Sequence, residues 1–268
     1  MSLPEIIGYI GALLIGLVMG LTGSGGSILS IPILAYLFQF DEKTTTAYSL
    51  FVVGVTALSG SVRGVLDRMV NYKAVLFLGV PAIIGVLTVR RVVVPVLPEV
   101  LFHIGEFEFT RRMLIFGLFS ILLFIASHSM LNKSNVNLET GNQKFVFHPM
   151  IVTEGLFLGL FMGLIGAGGG FLIVPALMLI AKLPIKKAIG TSLFIVSLNS
   201  LIGFFFGDFL YMEIDWKFLG VFSIISFIGI FIGGVLAKRT NGVKLKQYFA
   251  YFIIAMGIFM FIKEFILA

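Results

Sequence analysis

The sequence predicts an all-α, polytopic membrane protein, on the evidence of its composition, its apolar runs and an internal duplication. Of the 268 residues, 59% are hydrophobic and only 12% are charged, and the mean hydropathy is +1.10. A soluble domain is nearer half apolar and a quarter charged, and one core of this size cannot hide such an excess. Much of the surface must therefore face lipid.

Eight apolar regions are candidates for membrane crossings, since a helix needs about 20 residues to cross a hydrocarbon core about 30 Å thick. They are residues 5–39, 45–65, 74–91, 111–128, 150–182, 188–207, 218–237 and 248–267. An unbroken helix of about 33 residues would be about 50 Å long, so the first and fifth regions must break or fold back. The chain has eight transmembrane regions, or ten if the pieces after the breaks are counted as crossings.

Glycine-rich segments mark the breaks in these two long regions. The first segment reads Gly-Leu-Thr-Gly-Ser-Gly-Gly-Ser over residues 20–27, and the second reads Gly-Leu-Ile-Gly-Ala-Gly-Gly-Gly over residues 163–170. Each Gly costs about 1 kcal/mol of helix propensity relative to Ala, so clusters this dense interrupt a helix. A half-helix follows each break, with Pro32 or Pro175 near its first turn, where a missing N–H is best tolerated.

The two halves of the chain are similar to each other. A shift of 143 residues pairs residues 16–51 with 159–194 without a gap, and 15 of the 36 pairs are identical. The predicted organisation is a first transmembrane repeat over 1–128, a polar linker over 129–149 and a second transmembrane repeat over 150–268. Parallel and inverted repeats both occur in transporters. We favour parallel repeats, because matching loops in both halves are basic.

The basic residues lie between the apolar runs. With eight crossings and the N-terminus outside, 12 of the 19 Lys and Arg fall in cytoplasmic loops, among them Arg90 and Arg91. We expect the stretch 92–110 to be an amphipathic piece on the membrane surface. No basic helix or arm concentrates the positive charge, so we expect no nucleic-acid partner.

The residue inventory argues against catalysis. Cysteine is absent, which excludes disulfides, thiolate metal sites and a Cys nucleophile, and three scattered His do not predict a metal cluster. We find no nucleophile with a base, no paired acid and base in an apolar run, and no phosphate-binding loop. We therefore expect no enzyme, no cofactor and no bound metal.

The repeated break suits an anion site. Irregular backbone must be hidden from lipid, so we expect both breaks to face one central cavity near mid-membrane. The half-helices would direct free N–H groups and positive dipole ends at it. The candidate substrate-binding residues belong to the two breaks and to the following helices: Gly23, Ser24, Gly25, Gly26, Ser27, Gly166, Ala167, Gly168, Gly169, Gly170, Ser49, Thr191, Ser192 and Asn199. Close helix packing is the competing interpretation, because GxxxG pairs precede both breaks.

The same motifs resemble a known family. The pattern Gly-Leu-x-Gly-x-Gly-Gly-(Ser/Gly), the half-helix Pro, the segment Gly190 to Phe194 and the loop Asp215-Trp216-Lys217 resemble the TauE/SafE family, also called sulfite exporters or the toluene sulfonate uptake permease family. The resemblance covers nearly the whole chain. It implies secondary transport of a small sulfur-containing anion such as sulfite, a sulfonate or thiosulfate, with the glycine motifs at 23–27 and 166–170.

We therefore predict a multi-pass secondary transporter of such an anion in the cell (inner or plasma) membrane. An anion channel is an alternative, because helix N-termini also line anion filters. A membrane accessory subunit without transport activity is another. The expected partners are the small anionic substrate and the lipid bilayer. Whether the chain forms a homo-oligomer stays an open question at this point.

Overall fold

The computed structural model describes residues 3–23, 26–104, 107–131, 149–237 and 242–266. This part of the chain folds into ten helices and one β-hairpin. The helices are α1 (Leu3–Thr22), α2 (Ser27–Leu37), α3 (Glu42–Leu66), α4 (Tyr72–Val96), α5 (Arg111–Leu131), α6 (Met150–Ile165), α7 (Gly170–Leu179), α8 (Ile185–Asp208), α9 (Trp216–Ala237) and α10 (Gly242–Phe265), and the strands are β1 (Val100–Ile104) and β2 (Phe107–Thr110).

The predicted all-α polytopic membrane class is confirmed. Within the described ranges, six helices are long and apolar enough to cross a membrane, namely α1, α3, α4, α5, α8 and α9. The helices α2 and α6 are apolar but shorter. Large apolar side chains on the outer face of α9, such as Ile224 and Phe231, are half exposed, as expected of a surface covered by lipid.

Helices α1 and α6 end in the same way. Gly23 has φ +85° and donates its N–H to the carbonyl of Met19 at 2.8 Å. Gly166 has φ +75° and donates its N–H to the carbonyl of Met162, also at 2.8 Å. Because the left-handed backbone is open mainly to Gly, these two glycines end the helices at the predicted breaks.

Contacts between glycines and backbone show that α1 and α9 are parallel. Gly16 faces the carbonyl of Ser226, and Gly20 faces the carbonyl of Ile230, so that residue numbers rise together. A side chain at either glycine would collide with backbone. Ser226 also donates its hydroxyl to the carbonyl of Ala12 at 2.9 Å. These contacts hold the two helices at the close separation that small residues permit.

Helices α4 and α6 pack in the same manner. Gly155 faces the carbonyl of Leu78, and Gly159 faces the carbonyl of Ala82. These two helices are therefore also parallel. Each close pair joins one helix from residues 3–131 with one from residues 149–266.

Two further pairs are antiparallel. In α3 and α8, Gly54 faces Leu201 and Gly64 faces Gly190. In α5 and α10, Arg112 pairs with Glu264, and Gly257 faces Leu123. We call the two ends of the bundle the Glu42 end and the Leu66 end, after the first and last residues of α3.

The half-helix α2 turns the chain back along α1. Gly11 faces Ile33 and Gly8 faces Phe38, so α2 returns to the Glu42 end, where α1 begins. As a result α1, α3 and α5 run toward the Leu66 end, whereas α6, α8 and α10 run toward the Glu42 end. The preference for parallel repeats is therefore wrong, because each half-helix adds a reversal of direction. The duplication and its boundaries stay predictions, and linker residues 132–148 lie outside the described ranges.

The inverted arrangement also changes the charge count. The loop before Lys43 and the hairpin before Arg111 lie at the Glu42 end, whereas Lys182 and Lys186 lie at the Leu66 end, where α8 begins. The prediction of 12 cytoplasmic Lys and Arg placed these loops on the same side of the membrane. The helix directions place them on opposite sides, so that prediction is wrong.

The segment 92–110 differs from the amphipathic surface piece that we predicted. Helix α4 continues to Val96, and β1 and β2 then form an antiparallel hairpin in which Phe102 and Phe109 stack at 4.8 Å. Alternating apolar and polar residues over 107–110 fit a strand, which presents successive side chains to opposite faces. Arg111 fixes the end of the hairpin, because it donates to the carbonyl of Leu97 at 2.8 Å and pairs with Glu42.

Candidate functional site

A buried arginine lies beside the second helix break. Arg90 belongs to α4, a helix with the length and composition of a membrane span, and it is 1% exposed. Charged residues within membrane helices are rare and usually mark substrate or ion pathways. The environment of Arg90 is therefore the first place to look for function.

Three helices contribute to the Arg90 environment. The guanidinium NH1 donates to Asp208 Oδ1 at 2.9 Å and to Thr46 Oγ1 at 3.2 Å. Asp208 ends α8, and Thr46 lies in the second turn of α3. Arg90 and Asp208 each lie in a short π-helical turn, Val89–Val93 and Phe204–Asp208. Single π-helical turns recur at functional sites, because they displace a side chain from the regular helical register.

The ion pair leaves polar atoms unused. Arg90 Nε, Arg90 NH2 and Asp208 Oδ2 are buried and have no hydrogen-bond partner within the part of the chain that the structure describes. A guanidinium carries five N–H donors and stays protonated in proteins. A buried donor without a partner costs about 1 to 3 kcal/mol, and more when it is charged. These atoms therefore require a polar occupant next to them, either water or an anion.

The backbone of the second break meets this guanidinium. A Cβ on Gly166 would lie 2.5 Å from Arg90 NH2 and would also collide with Thr46. No side chain fits between the break and the arginine. Gly166 thus lets the backbone of the break approach an unused guanidinium nitrogen closely.

The break continues from there toward the middle of the bundle. Gly168 has φ +63°, and a Cβ there would lie 2.6 Å from Val53 Cγ1 and 2.7 Å from Ser200 Oγ. Helix α7 begins two residues later, and its first N–H groups have no partner within the helix. Ser200 Oγ is fully buried and is without a hydrogen-bond partner among the described residues. The Ser200 hydroxyl and the start of α7 therefore lie within a few residues of Gly166 along the break.

Two of the predicted polar residues on α8 are also buried, and each has a side-chain atom without a hydrogen-bond partner among the described residues. Asn199 is 1% exposed, and its Nδ2 donates to Met162 Sδ at 3.8 Å, while Oδ1 finds no partner in the described ranges. Ser192 is fully buried, and its hydroxyl likewise has no partner there. Asn199 adjoins Ser200, so two polar side chains follow each other on α8 near the second break.

Two other predicted residues form hydrogen bonds elsewhere. Thr191 Oγ1 accepts from the backbone N–H of Asn71 at 2.9 Å, and thereby positions the loop before α4. The hydroxyls of Ser49 and Ser30 share a hydrogen bond of 2.5 Å between α3 and α2. Both contacts join separate helices and do not involve Arg90.

The first break has apolar surroundings. Gly23 faces the side chain of Ile189, and Gly26 faces Met19 and the carbonyl of Ile15. Ser27 is fully buried, and its carbonyl accepts from the hydroxyl of Ser30 at 2.7 Å. The predicted residues Ser24 and Gly25 lie outside the described residues. In the described part of this break, no charged group corresponds to Arg90.

The two breaks enter the bundle from opposite ends. Gly166 faces Thr46, whereas Gly23 faces Ile189, whose neighbour Gly190 faces Gly64. Thr46 and Gly64 are about 27 Å apart along α3 at 1.5 Å per residue. The expectation that the breaks face each other across one mid-membrane cavity is therefore wrong for Gly23 and Gly166. The half-helices meet between these ends, in an apolar cluster that contains Ile28, Ala167 and Phe171.

A cleft opens at the Leu66 end, near the first break. Its volume is about 230 Å³, and Arg63, Asp67, Lys186 and Ile189 are among the residues that line it. Ile189 also packs against Gly23. Arg63 and Asp67 form a long ion pair of 3.7 Å, and both side chains are about half exposed. Both basic and acidic residues therefore line a cleft at the end opposite Arg90.

The sequence did not single out Arg90, Asp208, Thr46 or Ser200. Arg90 was assigned to a loop, because a charge was taken to end the apolar run 74–91. A usable signal existed: Arg90 and Asp208 have opposite charges and end two apolar runs that an inverted arrangement brings to the same end. The assumption of parallel repeats concealed it.

Comparisons with known proteins agree with this architecture. The model of the family described as sulfite exporter TauE/SafE matches residues 9–260. A probable membrane transporter protein of Xylella fastidiosa (strain Temecula1) is 26% identical over 97% of this chain and 96% of its own, and YunE of Bacillus subtilis, also described as a probable membrane transporter protein, is 26% identical over 85% of both chains. A probable membrane transporter protein of Methanocaldococcus jannaschii is 36% identical over 118 residues, which are 42% of this chain and 44% of that protein.

No solved structure gave a significant match. The chain thus belongs to the sulfite exporter TauE/SafE family, a family of membrane transporters and not of enzymes.

Proposed function

We propose that this protein is a secondary transporter of a small sulfur oxyanion, of the sulfite, sulfonate or thiosulfate class, across the cell membrane. The observation that carries the proposal is the pair of unused, buried guanidinium nitrogens of Arg90 beside Gly166. A planar guanidinium matches two oxygens of an oxyanion at once, and such charged hydrogen bonds are about twice as strong as neutral ones.

The neighbouring groups suit the remaining oxygens of such an anion. The N-terminus of α7 offers backbone N–H groups and a positive dipole end, and the hydroxyl of Ser200 is a neutral donor. Gly166 and Gly168 bring the backbone of the break close to Arg90 NH2 and to Ser200 Oγ, and a backbone without side chains can approach a small ligand closely. The family description, sulfite exporter, supports the choice of a sulfur oxyanion.

Binding of candidate anions by purified protein in lipid nanodiscs tests the proposal. Isothermal titration with sulfite, sulfate, thiosulfate and methanesulfonate should show saturable binding of at least one sulfur oxyanion. Arg90→Ala should weaken it about 10- to 150-fold, since a hydrogen bond to a charged group is worth about 1.5 to 3 kcal/mol. Arg91→Ala is the matched control, because Arg91 is exposed and donates to the carbonyl of Phe206.

A second variant separates loss of anion binding from loss of folding. Arg90→Lys keeps the charge and should retain part of the affinity if the variant folds, which a thermal unfolding curve verifies. Wild-type affinity in Arg90→Ala would overturn the assignment of this site. Saturable uptake into proteoliposomes that follows an imposed gradient would distinguish a transporter from a channel or an accessory subunit.

A further inference from the structure

The partner of Arg90 is itself an anion. Asp208 places Oδ1 2.9 Å from Arg90 NH1, and its other oxygen, Oδ2, is buried without a partner among the described residues. We propose that Asp208 is the proton-binding group of the transporter, and that its carboxylate competes with the substrate oxyanion for Arg90. This inference rests on the proposed function, because it requires an anion at Arg90.

The competition follows from the charges in a buried space. One guanidinium balances one carboxylate, so an incoming oxyanion would place two negative charges against a single positive charge. Like charges in a buried site repel more strongly than in bulk water and favour protonation of one of them. A proton on Asp208 removes the competing charge and frees Arg90 NH1 for the substrate.

Other titratable groups near Asp208 are already paired or point away. On α4, Arg91 is exposed and donates to the carbonyl of Phe206. At the start of α3, Glu42 pairs with Arg111 and Lys43 is exposed, while Thr46, the α3 side chain that meets Arg90, is neutral. Within the described ranges, the carboxylate that contacts Arg90 is therefore Asp208.

The Arg90–Asp208 pair is not repeated at the equivalent positions of the other half. The shift that relates the two halves places Val65 at the position of Asp208, and Gly234, after the one-residue insertion, at the position of Arg90. Near the first break, Asp67 is half exposed and lies 3.7 Å from Arg63, whereas Asp208 is buried. One buried carboxylate at the proposed site predicts one proton for each anion bound, which is electroneutral for a monovalent anion.

The pH dependence of methanesulfonate binding tests the proposal, because this anion keeps one negative charge between about pH 5 and pH 8. In the wild type, the Kd should fall as pH falls, by up to tenfold per pH unit, with uptake of about one proton for each anion bound. Asp208→Asn should bind with a Kd that does not change with pH. Asp208→Glu should restore the pH dependence, and Glu213→Gln, at an exposed loop carboxylate, should retain it.

Proton uptake by the wild type is measured by titration in buffers of different ionisation enthalpy, which requires no variant to fold. Zero proton uptake, with binding still weakened in Arg90→Ala, would overturn the role of Asp208 and leave the proposed anion site intact. Wild-type binding in Arg90→Ala would overturn the anion site itself. Unchanged pH dependence in a folded Asp208→Asn protein would also overturn the coupling role.

Discussion

The backbone of Gly166 packs against the guanidinium of Arg90, because a Cβ on Gly166 would lie 2.5 Å from Arg90 NH2. This contact gives the glycine-rich break a specific consequence. The break ends α6 and starts α7, and it also removes the side chain that would cover the arginine. The glycines that pack α6 against α4 are different ones, since Gly155 and Gly159 meet α4 backbone instead.

Gly166→Ala should therefore abolish anion binding and destabilise the protein. An alanine at φ +75° is strained by about 1 to 2 kcal/mol, and its methyl group would displace Arg90 NH2 or Thr46. Titration with the anion that the wild type binds, with thermal unfolding in parallel, measures both effects. The matched control is Gly220→Ala, since a Cβ there meets nothing within 4 Å and the change should cost no affinity. Undiminished binding in Gly166→Ala would contradict the role of this glycine.

Ser200→Ala should weaken anion binding by a smaller factor. The hydroxyl is fully buried next to Gly168, and one neutral hydrogen bond is worth about 0.5 to 1.5 kcal/mol, or about a two- to twelvefold change in Kd. Ser120→Ala is the control, because the Ser120 hydroxyl bonds to the carbonyl of Phe116 within its own helix α5. An equal loss in both variants would mean that Ser200 acts through packing alone.

The sequence predicted the elements of this fold better than their directions. Glycine density placed the ends of α1 and α6 within a few residues, because interruption of a helix is a local property. Whether α2 returns along α1 depends on contacts between distant residues, such as that between Gly8 and Phe38. Local propensity contains no information about such contacts.

The candidate site shows the same limit. The second break was found from Gly166 to Gly170, because left-handed backbone requires glycine. Arg90 was missed, since a charge at the end of an apolar run looks like a loop residue until Asp208 is placed beside it. The π-helical turns that contain Arg90 and Asp208 leave no pattern in the local sequence.

Glu264→Ala should destabilise the protein, because Glu264 joins three helices. Glu264 is 3% exposed. Its carboxylate accepts a hydrogen bond of 3.0 Å from Arg112 on α5 and one of 2.8 Å from the hydroxyl of Tyr36 on α2. Removal of the carboxylate leaves the Tyr36 hydroxyl and the Arg112 guanidinium without this partner. Leaving such a group unpaired costs about 1 to 3 kcal/mol of stability, so Tm should fall. Arg63→Ala breaks an exposed pair of 3.7 Å and should change stability by about 1 kcal/mol at most. Equal shifts in Tm would contradict this ranking.

The inverted arrangement makes a prediction about sidedness. The chain contains no cysteine, so single cysteines can be introduced without a background of native thiols. Glu99→Cys, before the hairpin at the Glu42 end, and Lys182→Cys, before α8 at the Leu66 end, are both exposed positions. Because α3 and α8 are antiparallel, an impermeant thiol reagent should label these two cysteines from opposite sides of the membrane.

Arg68→Cys serves as the internal reference for that experiment. Arg68 is exposed in the loop after α3, at the Leu66 end, so its cysteine should label from the same side as that at position 182. A parallel arrangement with eight crossings would instead put positions 99 and 182 on one side. Labelling of these two positions from a common side in sealed vesicles would therefore contradict the helix directions, and with them the meeting of Arg90 and Asp208 at one end of the bundle.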